Sequence, residues 1–447
     1  MQNAATSETA VVRVSNGNLL AENCVWDNIS YNREEGQLLA INDGASLELN
    51  GCRFANGYHN ATNNDSPRII PILINNGSTA HLSDSVLVRM KVMGGSLAIV
   101  RNASFSSMWA SERMAAPLLQ FINSFGALYN TIFMSISATG ADQNDNTKGV
   151  VIDVDSSMVN ITNCMFDQTS WFDPNVSSTI CTTESQIVGV REGSLLHVAN
   201  TTFNAVGGCG TAIRATGTST LEMMGVNITN IDLSRLAPNA AFATVIVMNN
   251  SSLHARDSLW SSINAGNTTN PAAILGINTT NVTLNDCNFK DITSLGPSPA
   301  VQWRNPKGGV DIVRCTWENI NTNAALSFLN APDGCLVKVS DTHFQGCSSR
   351  DRGTLSLGND DGRQVPVHDG HQVPVQLSNL TFTNNTGQKY AAALQVLNSS
   401  VSINGRYAPV LKPSRIAGRL CIEASCKCAF PYGFIGVGYL ALILVGK

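Results

Sequence analysis

The sequence predicts an all-β fold, a right-handed parallel β-helix solenoid of about thirteen coils with three short strands in each coil. Three observations predict it. A pattern of a small residue, any residue and a large apolar residue recurs along the chain with a spacing near 28 residues. Apolar residues alternate with other residues before each copy, which is the period of a half-buried strand. Only 13% of the residues are charged, against about a quarter in ordinary globular domains, so the charged faces of surface helices are scarce.

The repeated pattern is clearest where its small residue is cysteine, as in Cys52-Arg53-Phe54. Looser copies carry Ser, Ala, Thr, Val or Leu at the cysteine position. A strand-only unit of this length cannot bury its own apolar face, whereas stacked copies form a continuous core. We therefore expect the large residues of all copies to face one interior. These large residues are Trp26, Phe54, Leu87, Phe105, Phe133, Phe166, Phe203, Ile228, Trp260, Phe289, Trp317, Phe344 and Phe382.

Each copy contains the signals of about three strands. Leu47 and Leu49 precede Phe54 by seven and five residues, and the equivalent positions of other copies are apolar. Cys52 follows Leu49 after three residues instead of two, which predicts a bend between two strands that both face inward. Residues of types that favour turns, Asn, Asp, Ser and Gly, come after the large residue. A further apolar stretch, such as 272–275, predicts the third strand.

Two other all-β architectures, the β-sandwich and the β-propeller, also contain short strands separated by turns. A propeller blade needs four strands in about 40 residues, and the sequence has neither that period nor the Trp-Asp signature. The pattern therefore favours a β-helix over residues 8–404, followed by a Cys-containing connector over 405–428. Met1–Val12 lacks the basic and apolar regions of a signal peptide. We expect the chain to be an internal or truncated piece of a longer product.

Several segments of the repeat resemble a known group of surface proteins. The segments 46–57 (SLELNGCRFANG), 281–292 (NVTLNDCNFKDI) and 375–385 (VQLSNLTFTNN) look like polymorphic outer-membrane-protein repeats and related right-handed β-helix proteins of the pectin-lyase-like fold. Residues 382–385 fit the Phe-x-x-Asn hallmark of those repeats, and residues 208–213 approximate their Gly-Gly-Ala-Ile element. The resemblance covers residues 8–404 and implies an extracellular or cell-surface β-helix.

The charge of the chain excludes some partners. A net charge of −4 and a pI near 6.0 leave no concentrated basic field for nucleic acid or an anionic membrane surface. No residue pattern predicts a metal or a cofactor. We expect a non-enzymatic protein for adhesion, recognition or structural display, with glycans or other surface proteins as partners. The alternative is a polysaccharide lyase or glycoside hydrolase, which would need carboxylates and basic residues from adjacent coils to converge in one place.

One segment, 358–375, contains clustered acidic residues and histidines. Its sequence is a tandem octapeptide copy, DGRQVPVH followed by DGHQVPVQ. A loop duplication explains this cluster better than a catalytic centre, because the residues are consecutive in one loop and do not project from neighbouring coils. We expect residues 361–376 to form an excursion outside the coil stack. If the chain is an enzyme, the candidates for catalysis in this segment are Asp360, Asp361, His368, Asp369 and His371.

The cysteines of the repeat have two interpretations. Cysteines that share a repeat phase belong on adjacent coils, where disulfides would fasten a secreted rod. Alternatively, each is a free, buried, small apolar residue, because directly stacked parallel strands seldom provide disulfide geometry. The candidates for disulfides are Cys24, Cys52, Cys181, Cys209, Cys287, Cys315, Cys335 and Cys347.

Two further features concern modification and anchoring. Asn-x-Ser/Thr sequons are dense, which is consistent with a glycosylated extracellular protein, although Asn, Ser and Thr are also the turn residues of a β-helix. Residues 429–446 form an uncharged stretch that just reaches the length of a membrane span. A degenerate EGF-like tail that includes Cys421, Cys426 and Cys428, or a disordered end, are the alternatives. The sequons begin at Asn28, Asn60, Asn64, Asn76, Asn102, Asn160, Asn175, Asn200, Asn227, Asn249, Asn250, Asn267, Asn278, Asn281, Asn379, Asn384 and Asn398.

Overall fold

The computed structural model is an all-β, right-handed parallel β-helix, and it confirms the predicted fold class. Strands are the regular secondary structure of the described residues, which include no helix. The chain divides into two compact units, Met1–Glu222 and Met223–Lys447. The structure describes residues 5–6, 10–27, 30–31, 37–55, 72–87, 89–106, 109–110, 117–138, 150–167, 185–205, 210–234, 243–267, 269–329, 335–350, 352–357, 374–387, 394–396 and 400–404.

The described coils of the first unit run through three sheets, here called the first, second and third sheet in chain order, although not every coil has a strand in the third, and strands of successive coils pair in parallel. The first sheet contains Ala10–Ser15, Gln37–Asn42, Ile72–Ile74, Met90–Met93, Leu119–Ile122, Val150–Asp155, Ser185–Arg191 and Gly210–Ala215. The second contains Asn18–Glu22, Ser46–Asn50, Thr79–Ser83, Leu97–Arg101, Phe125–Tyr129, Met158–Thr162, Leu195–Ala199 and Thr220–Met224. The third contains Val25–Asp27, Arg53–Ala55, Ser104–Ser106, Ile132–Met134, Met165–Asp167 and Thr202–Asn204. Two further pairs are Ala5–Thr6 with Ser30–Tyr31 and Trp109–Ala110 with Ser137–Ala138.

The second unit has the same three-sheet coil. Its first-sheet strands are Val245–Met248, Ile274–Ile277, Val301–Arg304, Leu326–Leu329, Leu355–Leu357 and Leu394–Val396. Its second-sheet strands are Ser252–Arg256, Val282–Asn285, Val310–Val313, Val337–Ser340, Pro374–Ser378 and Ser400–Asn404. Its third-sheet strands are Asn227–Asp232, Leu259–Asn264, Asn288–Thr293, Thr316–Glu318, His343–Gln345 and Thr381–Thr383, extended by Asn321–Thr322, Ser348–Ser349 and Thr386–Gly387. The number of coils differs somewhat from the thirteen that the sequence predicts.

The predicted inward positions are buried. Leu47, Leu49, Cys52 and Phe54 are at most 5% exposed, and all thirteen large residues of the repeat are buried. Aromatic rings of successive coils stack face to face in each unit, as in Phe133 on Phe166 with centroids 4.5 Å apart. Each unit therefore has the continuous interior that the repeat predicts.

The bend between the second and third sheets explains why the small residue of the repeat varies. The residue before the small residue has a left-handed backbone, as Asn130 and Asn163 do. Asparagine tolerates this conformation. The small residue then caps the bend: Thr131 Oγ1 donates to the carbonyl of Tyr129 at 3.0 Å, and Cys164 Sγ donates to that of Thr162 at 3.4 Å. A hydroxyl and a thiol make the same contact, so Ser or Thr can replace Cys.

Left-handed Asn and Asp residues also link successive coils. The amide of Asn102 donates to the Asp84 carboxylate at 3.1 Å, and Asn130 donates to Asn102 at 3.1 Å one coil later. In the second unit, Asn379 donates to Asp341 at 2.9 Å. These bonds fix the corners of the coils by side-chain contacts in addition to the backbone ladder.

Candidate functional site

The candidate site lies on the outer face of the first sheet in the first unit. Residues alternate between the two faces of a strand, so Ile152 and Val154 are fully buried in the interior while Asp153 and Asp155 project from the other face. The parallel register then places Lys91, Gln120, Asp153, Gly189 and Arg214 side by side on five successive strands. Neighbouring strands are about 4.8 Å apart. Polar groups from five coils thus form one row.

Asp153 is the centre of this row. Its Oδ2 accepts hydrogen bonds from Gln120 Nε2 at 3.0 Å and from Arg191 Nη2 at 2.7 Å. Gln120, Asp153 and Arg191 belong to three successive coils. The residue is only 5% exposed, and burial raises the pKa of the Asp153 carboxyl, an effect that the bonds from Gln120 and Arg191 partly offset.

Arg191 and Asp155 form the accessible side of the cluster. The register pairs Arg191 with Asp155, and Arg191 Nε lies 3.4 Å from Asp155 Oδ2. The Arg191 side chain is 47% exposed and the Asp155 side chain 24%, whereas that of Asp153 is 7% exposed. One guanidinium therefore contacts two carboxylates in different surroundings. Such a difference is the usual way in which two carboxyl groups come to have separate acid and base roles.

Basic residues outnumber acidic ones on this face. Lys91 lies on its first strand, Arg89 immediately precedes that strand, and Arg214 lies on its last strand. Burial lowers the pKa of both Arg89 and Arg214, because removal from water disfavours the charged form. The face therefore carries an excess of positive charge on a chain whose net charge is −4. Such a local field favours an anionic ligand.

The side chain of Gln186 fills the space beside Gly189 in the row. A Cβ on Gly189 would lie 2.5 Å from Gln186 Nε2 and 3.0 Å from Gln186 Cδ. Gln186 comes from the beginning of the same strand, Ser185–Arg191. Its carboxamide thus stands between Asp153 and Arg214.

Comparisons with known proteins identify a shared fold. No protein-family model matches the chain, and no curated protein matches it. Among solved structures, it is similar to a periplasmic alginate epimerase, with 5% identity and a TM-score of 0.36 over 76% of this chain and 78% of that one. A mannuronic acid specific polysaccharide family 6 lyase from human gut microbiota has 11% identity and a TM-score of 0.32 over 75% and 77%. The receptor-binding tailspike of bacteriophage Det7 has 12% identity and a TM-score of 0.24 over 90% and 74%.

The chain shares the right-handed parallel β-helix fold of these proteins. Likeness at this level shows the fold and no more.

The expectation of a non-enzymatic display protein is contradicted. The matched structures include, by their own names, an alginate epimerase and family 6 lyases. The charged row also has the feature that was to separate the two hypotheses, since Asp153, Arg191 and Gln120 from adjacent coils converge on one face. The expectation was wrong because no local sequence pattern reveals this cluster, whose three residues are brought together by the register of the coils.

The candidates for catalysis within the tandem octapeptide lie outside the described residues. Asp360, Asp361, His368, Asp369 and His371 fall between the first-sheet strand Leu355–Leu357 and the second-sheet strand Pro374–Ser378. Strand Pro374–Ser378 pairs in register with Val337–Ser340. The end of the second copy, residues 374–376, is therefore part of a strand, and the predicted excursion of 361–376 is too long by three residues.

The described cysteines of the repeat are free thiols in this structure. Cys24, Cys52, Cys287, Cys315, Cys335 and Cys347 are among them, while Cys181 and Cys209 lie outside the described residues, and the disulfide pairing stays a prediction. Cys52 Sγ lies 3.2 Å from the carbonyl oxygen of Ala21, and Cys315 Sγ lies 3.4 Å from that of Leu284. These thiols contact the backbone of the preceding coil.

The sequons fall at several kinds of position. Asn76, Asn102 and Asn379 are left-handed corner residues whose amides donate to an aspartate of the preceding coil. Asn160 and Asn227 lie in strands. Asn28, Asn60, Asn64, Asn175 and Asn398 lie outside the described residues. Glycosylation stays a prediction at every sequon.

Within the described ranges, no group of three or more His, Cys, Asp or Glu side chains is arranged to hold a metal ion. No helix in those ranges is long and apolar enough to cross a membrane. The predicted anchor at 429–446 and the connector at 405–428 lie outside the described residues.

Proposed function

We propose that the protein is an enzyme that cleaves an acidic polysaccharide by β-elimination at a uronic acid unit. The observation that carries the proposal is the bond between Arg191 and Asp153 on the outer face of the first sheet, joined by Gln120 from a third coil. A carboxylate whose pKa is raised by burial, next to a half-exposed guanidinium, places a group that can accept a proton beside one that binds carboxylates.

The chemistry of the elimination sets what the site must do. A base removes the hydrogen on C5 of a uronic acid unit, a double bond forms between C4 and C5, and the bond from C4 to the glycosidic oxygen breaks. The leaving oxygen takes a proton. Negative charge develops on the uronate carboxylate during the step, so cations at that group lower the barrier. No water is consumed.

The residues of the row suit these tasks. The Arg191 guanidinium has five N–H donors, of which two make the contacts to Asp153 and Asp155, so further donors remain on its exposed side for a substrate carboxylate. Lys91 and Arg214 lie at the two ends of the row, where they supply charge to neighbouring uronate units. Asp153 is suited to proton transfer, since a pKa raised toward the working pH strengthens it as a base.

A glycoside hydrolase is the second candidate, and one observation favours it. Asp153 and Asp155 lie two residues apart on the same face of strand Val150–Asp155, a separation of about 6.6 Å along the strand. Inverting glycosidases place an acid and a base at about 6.5–9.5 Å. Hydrolysis would give two saturated ends, whereas elimination leaves an unsaturated one.

The location that accompanies this function is outside the cytoplasm. The matched structures include a periplasmic protein and a phage tailspike by their own names. We propose a periplasmic or extracellular location, where polymeric glycans occur. A membrane anchor within 429–446 stays a prediction.

The test is incubation of the purified chain with alginate, polygalacturonate and a neutral glucan. We expect cleavage of a polyuronate with the ultraviolet absorbance of an unsaturated product, and loss of that activity in Asp153→Asn. The matched control is Asp286→Asn, which removes an exposed carboxylate bonded to Arg314 in the second unit and should leave activity unchanged. New reducing ends without that absorbance would establish hydrolysis instead. No cleavage of any polyuronate would overturn the proposal.

A further inference from the structure

The backbone conformation of strand Ser185–Arg191 does not require a glycine at position 189. Gly189 does not have a left-handed φ, because it is absent from the positive-φ residues of the chain. Any residue could therefore take its backbone conformation. What a side chain at 189 would meet is the Gln186 carboxamide, at 2.5 Å from Nε2. The glycine provides space for that group.

The space lies inside the proposed site. Register places Gly189 directly between Asp153 and Arg214. The Gln186 carboxamide therefore stands on one side of Asp153, while Gln120, which bonds to Asp153 at 3.0 Å, stands on the other. Two amides flank one buried carboxylate. Gln120 bonds to Asp153, whereas the Gln186 carboxamide occupies space that a side chain at 189 would take.

We propose that the Gln186 carboxamide, which covers Gly189, is a specificity-determining group that hydrogen-bonds a free hydroxyl of the uronate ring seated against it. This inference rests on the proposed function. A carboxamide can donate and accept hydrogen bonds at once, which suits a sugar hydroxyl. The ring is placed between Asp153 and Arg214, so its hydroxyls lie next to the group that exchanges the proton.

The substrate class follows from the space around the Gln186 carboxamide. An O-acetyl ester on that hydroxyl removes its donor and adds bulk where a single methyl carbon at 189 would already collide with Gln186. Sites built to bond a hydroxyl discriminate strongly against analogues that lack it. The preferred substrate is therefore a polyuronate whose ring hydroxyls are free, and an acetylated polymer of the same backbone is a poor one.

The experiment compares kcat/KM on a polyuronate and on its O-acetylated form. The wild-type chain should favour the free polymer, and Gln186→Ala should reduce that preference about tenfold by a loss on the free polymer alone. Gly189→Ala should do the same in the wild-type background and should have no further effect in the Gln186→Ala background, because the two changes remove one contact. A purely structural role would change both substrates equally.

The controls separate folding from specificity. Gly309→Ala is the matched glycine change, since a Cβ there would have only the carbonyl of Leu336 in contact, at 3.9 Å. Gln345→Ala removes an exposed glutamine of the second unit that accepts from His343. Both should behave as wild type. If the wild-type chain cleaves polyuronates and Gln186→Ala keeps the full preference, this inference is overturned and the proposed function stands. If the wild-type chain cleaves none, both fall.

Discussion

Arg191 Nη2 lies 2.7 Å from Asp153 Oδ2 although the strand register sets Arg191 beside Asp155. The guanidinium therefore reaches diagonally to the preceding coil and contacts both outward carboxylates of strand Val150–Asp155. This contact holds the side chains of Arg191, Asp153 and Asp155 in place, and it has several measurable consequences.

Replacement of Arg191 should abolish most of the proposed activity. Arg191→Ala removes the donor to Asp153 and the cation that would bind the substrate carboxylate, so kcat/KM should fall by about 100-fold or more, the usual effect of removing one group that stabilises developing charge. Arg191→Lys should restore part of it at most, because a lysine cannot contact both carboxylates in the same way. Arg314→Ala is the control, since Arg314 makes a similar exposed pair with Asp286 in the second unit. Equal losses in both variants would contradict the assignment.

The buried carboxyl of Asp153 should make stability depend on pH. Its pKa in the folded chain is raised above the ordinary value of 3.8, so the folded state binds this proton more tightly than the unfolded state. The stabilisation is present below pH 3.8 and is lost as the pH rises through the raised pKa. We therefore expect the unfolding free energy of the wild-type chain to decrease relative to that of Asp153→Asn over this interval. Denaturant titrations at several pH values measure it. A relative increase would mean that the contact with Arg191 outweighs burial.

The aromatic stack of the first unit should contribute strongly to stability. Phe166 packs between Phe133 and Phe203 with centroids 4.5 Å and 4.6 Å away. Phe166→Ala should lower the free energy of unfolding by about 3–5 kcal/mol, because it leaves a cavity in a close-packed core. The neighbouring Met165 is 37% exposed, so Met165→Ala should change it by less than about 0.5 kcal/mol. Similar effects of the two changes would show that the interior is not continuous at this coil.

The buried thiols should be inert in the folded protein. Burial raises the pKa of Cys164 to about 11 and that of Cys347 to about 12, and the thiolate is the reactive form. An alkylating reagent at neutral pH should label these residues only after denaturation, and addition of a reductant should not change the Tm. Mass spectrometry under non-reducing conditions provides the check. A peptide that links Cys287 to Cys315 would establish the disulfide interpretation instead.

The tandem octapeptide should be dispensable for folding. Deletion of residues 361–368 leaves the strands Leu355–Leu357 and Pro374–Ser378 intact, and the length of a surface insertion has little effect on loop entropy. The Tm should therefore stay within a few degrees of that of the full chain. Removal of residues 374–378 as well should destabilise the second unit, because that segment pairs with strands on both sides.

The sequence predicted the interior of each coil but not the site on its outside. Leu47, Leu49, Cys52 and Phe54 follow from a pattern that is contained in a few residues. Asp153 and Arg191 are 38 residues apart, and their contact depends on how many residues of the intervening segment stay out of the strands. No local pattern specifies that number. A signal was present in Val150–Asp155, where the last two outward positions are aspartate, a costly choice for a strand that is buried on its other face.

The side-chain hydrogen bonds between left-handed corner residues run in one direction along the chain. Asn76 donates to Asp43, Asn102 to Asp84 and Asn319 to Asp291, in each case from the later coil to the earlier one. During synthesis the N-terminal coil emerges first, so each asparagine meets an acceptor that is already in place. Each new coil can therefore form on a coil that is already folded. Truncation from the C-terminal end should remove the last coils and leave the corner hydrogen bonds of the preceding coils intact.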